Sequence, residues 1–323
     1  MGSRNLVGSK TLPMAALILL LSLAQARLSL GGRRELVDDT MQTAPGEELL
    51  YNHGGPVLRG EILVTVVYYG SFSPEQQAIV ADFIESLTSK PAASTPSVAQ
   101  WWSTIDKIYL SNATGGGGGG GGTRVLLAGQ VADEKYSLGK SLTLAQVFQL
   151  AAGVKPRKGA LVLVLTDPDV VVEGFCSVRC GLHGADDGAG YAYVWVGNAA
   201  QQCPGQCAWP FAKPSYGPQD KPLPAPNGDV GVDGMMVNVA SMLAGAATNP
   251  FRDAYYQGER DAALEACTAC AGVYGSGSYP GYAGNVLVDK ASGGSYNAVS
   301  TGGHKYMLPA VYDPAKPGCS TSV

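Results

Sequence analysis

Apolar positions along the chain fall into two periodicities. The segment Glu61-Ile-Leu-Val-Thr-Val-Val-Tyr-Tyr69 is almost unbroken in β-branched, aliphatic and aromatic residues, which predicts a buried strand. The spacing then changes. Ser73 is placed to cap a helix, Pro74 stands at its first position, Gln76 completes a capping box, and Ile79, Val80, Phe83, Ile84 and Leu87 recur on one helical face. Ser97-x-x-Gln100 opens a second helix in the same way, carrying Val98, Trp101, Trp102, Ile105 and Ile108, with both tryptophans read as core rather than as a sugar platform. A strand over Val125 to Ala128, a helix over Leu142 to Ala152 and a strand over Ala160 to Thr166 follow. This alternation predicts an α/β fold with a mixed, partly parallel sheet flanked by helices.

The second half reads differently. A short strand over Tyr191 to Val196, proline-rich loops from Pro204 to Pro226, an apolar helix near Val232 to Ala247 and a glycine- and tyrosine-rich stretch from Gly272 to Gly284 predict a loop-rich region. No internal repeat and no linker divides residues 49–323, so they are expected to form a single domain. Residues 27–48 mix charges with few bulky apolar side chains and read as a flexible leader. Within the domain, Asn112-Ala-Thr114 is a glycosylation sequon that runs into Gly115 to Gly122, which marks residues 112–123 as a glycine-rich surface insertion with Asn112 as the glycan acceptor.

Arg4 and Lys10 precede the apolar run from Met14 to Leu23, and Ala24-Gln25-Ala26 supplies a small-x-small cleavage pattern. Residues 1–26 therefore read as a signal peptide, with a membrane anchor as the alternative, although the run is shorter than the roughly 20 residues a span needs. No later segment reads as apolar enough to span, and no retention tetrapeptide closes the sequence, so the expectation is a secreted, extracellular product without a membrane segment after cleavage.

Composition sharpens this picture. With 46% hydrophobic and 15% charged residues, the chain of 323 residues is able to bury a core. Its 44 glycines exceed the usual share of about 7%, in keeping with many loops. A formal charge of −4 gives no electrostatic reason to expect a nucleic-acid partner.

Seven cysteines lie in the second half, and in an oxidising compartment they read as disulfide partners with one thiol left over. Either Cys267 or Cys270 is the candidate for that free thiol. Cys176, Cys180 and His183, with Cys203 and Cys207, also have the close spacing of zinc ligands, which stands as an alternative. Asn227-Gly-Asp229-Val-Gly-Val-Asp233 alternates oxygen donors as a calcium loop does, but lacks a distal glutamate. The alternative is a turn whose Asp229 or Asp233 caps a helix. Asp167, Asp169 and Glu173 cluster after a strand, where a glycosidase pair or a solvated loop would both fit. The three histidines form no HExxH helix, no G-x-S-x-G elbow is present, and the glycine run lacks a phosphate-loop ending. Tyr274, Tyr279 and Tyr282 are equally suited to stacking on sugar rings or to packing a glycine-rich turn.

Several longer motifs carry a resemblance. Gly174-Phe-Cys-Ser-Val-Arg-Cys-Gly-Leu-His-Gly184, Tyr193-Val-Trp-Val-Gly-Asn198, Cys203-Pro-Gly-Gln-Cys-Ala-Trp-Pro-Phe211, Pro226-Asn-Gly-Asp-Val-Gly-Val-Asp-Gly234, Thr248-Asn-Pro-Phe251, Gly275-Ser-Gly-Ser-Tyr-Pro-Gly-Tyr282 and Leu308-Pro-Ala310 resemble, in order, those of the plant phosphate-induced protein family, which includes the Exordium and Exordium-like proteins. The likeness runs from about Tyr51 to Val323, and the glycine run departs from it. It makes Cys267 the extra residue, leaving Cys176, Cys180, Cys203, Cys207, Cys270 and Cys319 as disulfide candidates. The resemblance implies a cell-wall or apoplast protein tied to growth regulation, brassinosteroid response and nutrient status. It brings no catalytic set and no cofactor.

A fainter likeness links Ala240 to Pro250 with the active helix of secreted zincin-like metallopeptidases. There the metal-binding histidine falls on Ser241, the catalytic glutamate on Met242 and the next ligand on Gly245. This implies a zincin-like scaffold emptied of its chemistry. The expectation is a non-catalytic protein that binds a wall polysaccharide or cell-surface receptor; the alternative is a divergent hydrolase, using His183 or carboxylates near Asp229 and Asp233.

Overall fold

Glu61–Tyr69 (β1) is extended because its β-branched and aromatic side chains fit a pleated surface, and it is packed on both faces. In the computed structural model, which describes residues 51–90, 96–111, 122–217, 221–260 and 263–323, β1 lies inside a five-stranded sheet. The other strands are Arg124–Asp133 (β2), Leu161–Thr166 (β3), Gly181–Asp186 (β4) and Tyr191–Gly197 (β5), and the order is β2-β1-β3-β5-β4. Pairing is parallel throughout except between β4 and β5, so the sheet is mixed. The described residues belong to one compact unit, 48–323. The signal peptide 1–26, the leader 27–48 and the Asn112 sequon lie outside them.

Alternation in the central strands sorts side chains into two cores. Ile62, Val64, Val66 and Tyr68 of β1, with Leu161, Leu163 and Leu165 of β3, face the helices Pro74–Ser86 (α1), Val98–Ile105 (α2) and Val230–Thr248 (α4). Val67, Tyr69, Val162, Val164 and Trp195 point the other way, against Leu144–Gly153 (α3). Both capping boxes form as the sequence predicts, Ser73 with Gln76 and Ser97 with Gln100. Trp101 and Trp102 are core residues, each 2% exposed.

Three elements differ from the sequence reading. Leu142 belongs to a two-residue strand paired with Val172, and α3 starts after it because Thr143 and Gln146 form a third capping box. β4 was not predicted, since Gly-Leu-His-Gly-Ala-Asp offers little apolar alternation; its backbone bonds to β5 define it. α4 is long and apolar enough to cross a membrane by length and composition, contrary to the expectation of no such segment. Its apolarity is that of a core helix, buried between the sheet and a satellite cluster of Phe211, Val237, Tyr274, Ala283 and Met307.

Beyond α4 the described chain has two-residue strands and a short 3₁₀ turn, Thr268–Cys270. Buried Asn297 ties this region together, donating to the carbonyls of Tyr274 at 2.8 Å and Leu308 at 2.7 Å while accepting from Leu308 N–H. Three disulfides add covalent closure: Cys176–Cys203, Cys180–Cys207 and Cys270–Cys319. Cys267 is the free thiol, fully inside the core.

Candidate functional site

Two clefts flank the disulfide-bonded segment. The first is an aromatic groove of about 620 Å³ between the 205–217 loops and the 271–281 turn. The glycines of the second half shape it. Tyr279-Pro-Gly-Tyr282 closes a tight turn, with Gly281 at φ +90° and reciprocal backbone bonds between Tyr279 and Tyr282. Gly275 and Gly284 let the two limbs touch, since a Cβ on either would stand 2.2 Å from a backbone oxygen of the other limb. Tyr274 turns inward and packs on Trp209, and burial raises its phenol pKa. Tyr279 turns outward, 62% exposed with its ring 5.0 Å from that of Tyr282, and Tyr216 is 81% exposed. Of the three tyrosines, Tyr274 packs the turn and Tyr279 faces solvent. Trp209, Tyr216, Tyr279, Pro214 and Pro280 line the groove with Gln206 and Ser278, and among the described lining residues there is no Asp, Glu, His, Lys or Arg.

The second cleft, about 440 Å³, lies between β4 and a wall that includes Arg252, Arg260, Ala263, Glu265 and Thr268, with Met242 of α4 also lining it. His183 points from β4 toward α4, and its Nε2 lies 2.7 Å from Glu265 Oε2. Glu265 Oε1 accepts from Asn249 Nδ2 at 2.7 Å, so both carboxylate oxygens are engaged. With Nε2–H donating to the carboxylate, Nδ1 is a buried acceptor without a hydrogen-bond partner. Gly245 makes room for the pair: a Cβ there would stand 2.4 Å from Glu265 Oε2 and 2.9 Å from His183 Nε2. Arg179, Arg252 and Arg260 are among its lining residues, and Arg260 Nε donates to the Tyr256 hydroxyl at 3.4 Å. The Tyr193 phenol in the same wall has its pKa raised by burial, with the Arg252 charge acting in the opposite direction.

The remaining candidates have other duties. The sulfurs of Cys176, Cys180, Cys203 and Cys207 are joined in disulfides, which leaves the zinc alternative without those thiolates. No group of three or more potential His, Cys, Asp or Glu metal ligands occurs among the described residues. Asp229 is the α4 cap, accepting from Val232 N–H at 3.0 Å and from Gln76 Nε2 at 2.8 Å. Asp233, 3% exposed, accepts from Asn227 N–H and Nδ2. Both carboxylates therefore face N–H donors, the arrangement of a capped turn and not of a calcium loop. Asp167 is also buried, receiving Ser71 N–H, the Tyr136 hydroxyl and Asp169 N–H. Asp169 pairs with Lys140, and Glu173 accepts from Leu144 N–H, so the three carboxylates serve the surrounding loops. Ser241 and Met242 sit on the partly buried side of α4 and Gly245 beneath the His183–Glu265 pair.

A cluster missed in the sequence joins Asp82 of α1 to the 300–304 turn. His304 Nδ1 lies 2.6 Å from Asp82 Oδ2, Gly302 N–H donates to Oδ1, and Ser300 donates to the same carboxylate. Burial opposes ionisation of Asp82, but these hydrogen bonds and the His304 charge bring its pKa below the ordinary value. Serine, histidine and aspartate meet here without forming a nucleophile relay, because the Ser300 hydroxyl is directed to Asp82 and to the His304 carbonyl. No residue type at Asp82 or His304 signalled this contact across 222 positions.

Comparison with known proteins agrees with the motif resemblance. The phosphate-induced protein 1 conserved region matches residues 50–322. The chain is 54% identical to Protein PHOSPHATE-INDUCED 1 of Nicotiana tabacum, over 86% of this chain and 90% of the relative. It is 51% identical to Protein EXORDIUM of Arabidopsis thaliana, covering 85% and 90% respectively. Protein EXORDIUM-like 1 of the same plant is also 51% identical, covering 83% and 88%. No solved structure matches.

Proposed function

The chain belongs to the phosphate-induced and Exordium family, and from that premise we propose that it is a secreted, non-catalytic protein of the plant cell wall or apoplast, linked to growth, brassinosteroid response and nutrient status, that binds a wall polysaccharide in the aromatic groove. The observation that carries this reading is the groove itself. Tyr279, Tyr216 and Trp209 present aromatic surface around a cavity whose described lining holds no acid–base pair. Aromatic faces over a concave apolar floor suit the C–H faces of sugar rings, and Gln206 and Ser278 offer hydrogen bonds to hydroxyls. Disulfides of this number fit folding in the oxidising secretory pathway, and the zincin-like helix belongs to the same reading as a scaffold carrying Ser241, Met242 and Gly245 where a peptidase would need metal ligands and a base.

The test is retardation of the secreted protein in native gels containing neutral wall polysaccharides such as xyloglucan. Tyr279→Ala and Tyr216→Ala, both at exposed positions, are expected to weaken binding about tenfold each, the scale of a lost stacking contact, with melting temperature unchanged. No retardation by any wall polysaccharide would sink the reading. A cell-surface receptor is the other partner this surface would serve.

The hydrolase alternative draws on one observation, the buried His183–Glu265 pair at a cleft wall. Turnover of peptide or glycan substrates that disappears in His183→Ala would establish it. The expected result is no turnover by either protein.

A further inference from the structure

Two phenols meet at the tip of the Tyr279-Pro-Gly-Tyr282 turn. Gly281, at φ +90°, supplies the left-handed residue that lets the chain reverse directly after Pro280. Tyr279 N–H then donates to the Tyr282 carbonyl at 3.1 Å, and Tyr282 N–H to the Tyr279 carbonyl at 2.8 Å. Residues that exchange both backbone bonds stand directly opposite each other, with their side chains on one face. The rings follow from that backbone. Their centroids are 5.0 Å apart and their planes differ by 36°.

Both rings are open to solvent, Tyr279 at 62% exposure and Tyr282 half-buried. The Tyr282 hydroxyl donates to Asn285 Oδ1 at 2.9 Å, an exposed bond that holds this ring by its oxygen and does not involve the ring carbons. The other tyrosine pairs in ring contact among the described residues are Tyr109–Tyr255 at 5.0 Å and Tyr69–Tyr136 at 5.9 Å. Those pairs meet edge to face at 82°, and Tyr109 and Tyr69 are each 0% exposed. Only the turn pair presents two accessible phenols with their faces inclined toward each other.

We propose that Tyr279 and Tyr282 form a site of oxidative modification, coupled within the chain to a dityrosine by a haem peroxidase acting with hydrogen peroxide. Each phenol gives up one electron and its O–H proton, and the unpaired electron spreads onto the carbons beside the oxygen. One carbon–carbon bond forms between the two rings, and the proton on each joined carbon is exchanged for one on its oxygen. The two electrons and two protons removed in all reduce one hydrogen peroxide to two waters. The fixed turn holds the partners together before reaction, which favours coupling within the chain over coupling between chains. The product is a covalent staple across the turn that forms one wall of the aromatic groove. Coupling needs no bound glycan and its test contains none, so this assignment and the groove's reading stand or fall separately.

The experiment is treatment of the full secreted protein, dilute enough to disfavour contact between chains, with a haem peroxidase and hydrogen peroxide. Dityrosine fluorescence, intact mass and a peptide map are then read on the monomer fraction. The expected product is a monomer lighter by two hydrogen atoms whose map places the bridge between Tyr279 and Tyr282. Tyr279→Phe and Tyr282→Phe keep the ring and lack the phenol, and each is expected to reduce the monomer fluorescence about tenfold with melting temperature unchanged. The wild-type map decides the assignment even if a variant fails to fold. Absence of dityrosine, a bridge mapped to other tyrosines, coupling found only between chains, or monomer fluorescence indifferent to both substitutions would each overturn it.

Discussion

Asp233 occupies the first turn of α4, where both of its oxygens accept hydrogen bonds from Asn227. Those bonds favour the carboxylate, yet burial outweighs them and Asp229 adds a like charge, so the pKa rises from 3.8 to about 6. In the unfolded chain the group loses its proton near 3.8, whereas in the folded protein it keeps it to about 6. Its contribution to stability is therefore fully present only well below 3.8 and is lost as pH rises through about 6, a swing of about 3 kcal/mol. Urea unfolding of wild type and Asp233→Asn from about pH 2.5 to 7.5 should show the wild type losing that amount relative to the variant and then levelling. A constant difference would contradict the burial argument. Cys267 makes a second prediction at this scale. Burial, with the nearby Glu265 charge, raises its thiol pKa, so it should resist maleimide in the native protein and label at one thiol per chain in denaturant without reductant.

Glycine inside a helix ordinarily gains about 1 kcal/mol on replacement by alanine. Gly245 in α4 reverses that expectation, because the space a Cβ would fill is occupied by Glu265 and His183. Gly245→Ala should destabilise by about 1–3 kcal/mol, the usual range for overpacking, while alanine at a helical position without contacts, Gly153 at the end of α3, where no atom lies within 4 Å of the added Cβ, should show no such loss. Thermal unfolding of both variants distinguishes a packing role from a propensity effect. The contrast also marks what sequence reveals about elements. Helices announced by a cap and one apolar face were legible at Ser73 and Ser97, and α4 by its long apolar run, since these signals are local. β4 and the cap at Thr143 were not. The strand is defined by its partner across the sheet, and the cap was hidden by the apolar Leu142, which extends the helical pattern two positions too far. The same limit hid the cleft: His183 was visible as a candidate, but Glu265 lies 82 positions away and becomes its partner only through the fold.

For the molecule as a whole, the parallel disulfides Cys176–Cys203 and Cys180–Cys207 join the two clefts. One end brackets Arg179, and the other brackets Gly205 and Gln206 of the aromatic groove. Each bridge closes a connection of 27 positions, for which chain entropy assigns about 3–4 kcal/mol. With one bridge intact, however, the other closes only a small ring, because the cysteines at each end are close in sequence. Replacing Cys176 and Cys203 by serine, or Cys180 and Cys207, should therefore cost less than opening the long loop. Replacing all four should cost more than the sum of the two pairs, since only then does the loop regain its full freedom. The functional consequence follows the same logic. Either single bridge keeps the 176–180 and 203–207 stretches together, so each pair variant should retain neutral-glycan binding at the aromatic groove, whereas the fourfold variant should lose it. Denaturant unfolding and titration on the same three proteins test this; equal and additive losses would mean that the bridges act locally and that the clefts are not mechanically joined.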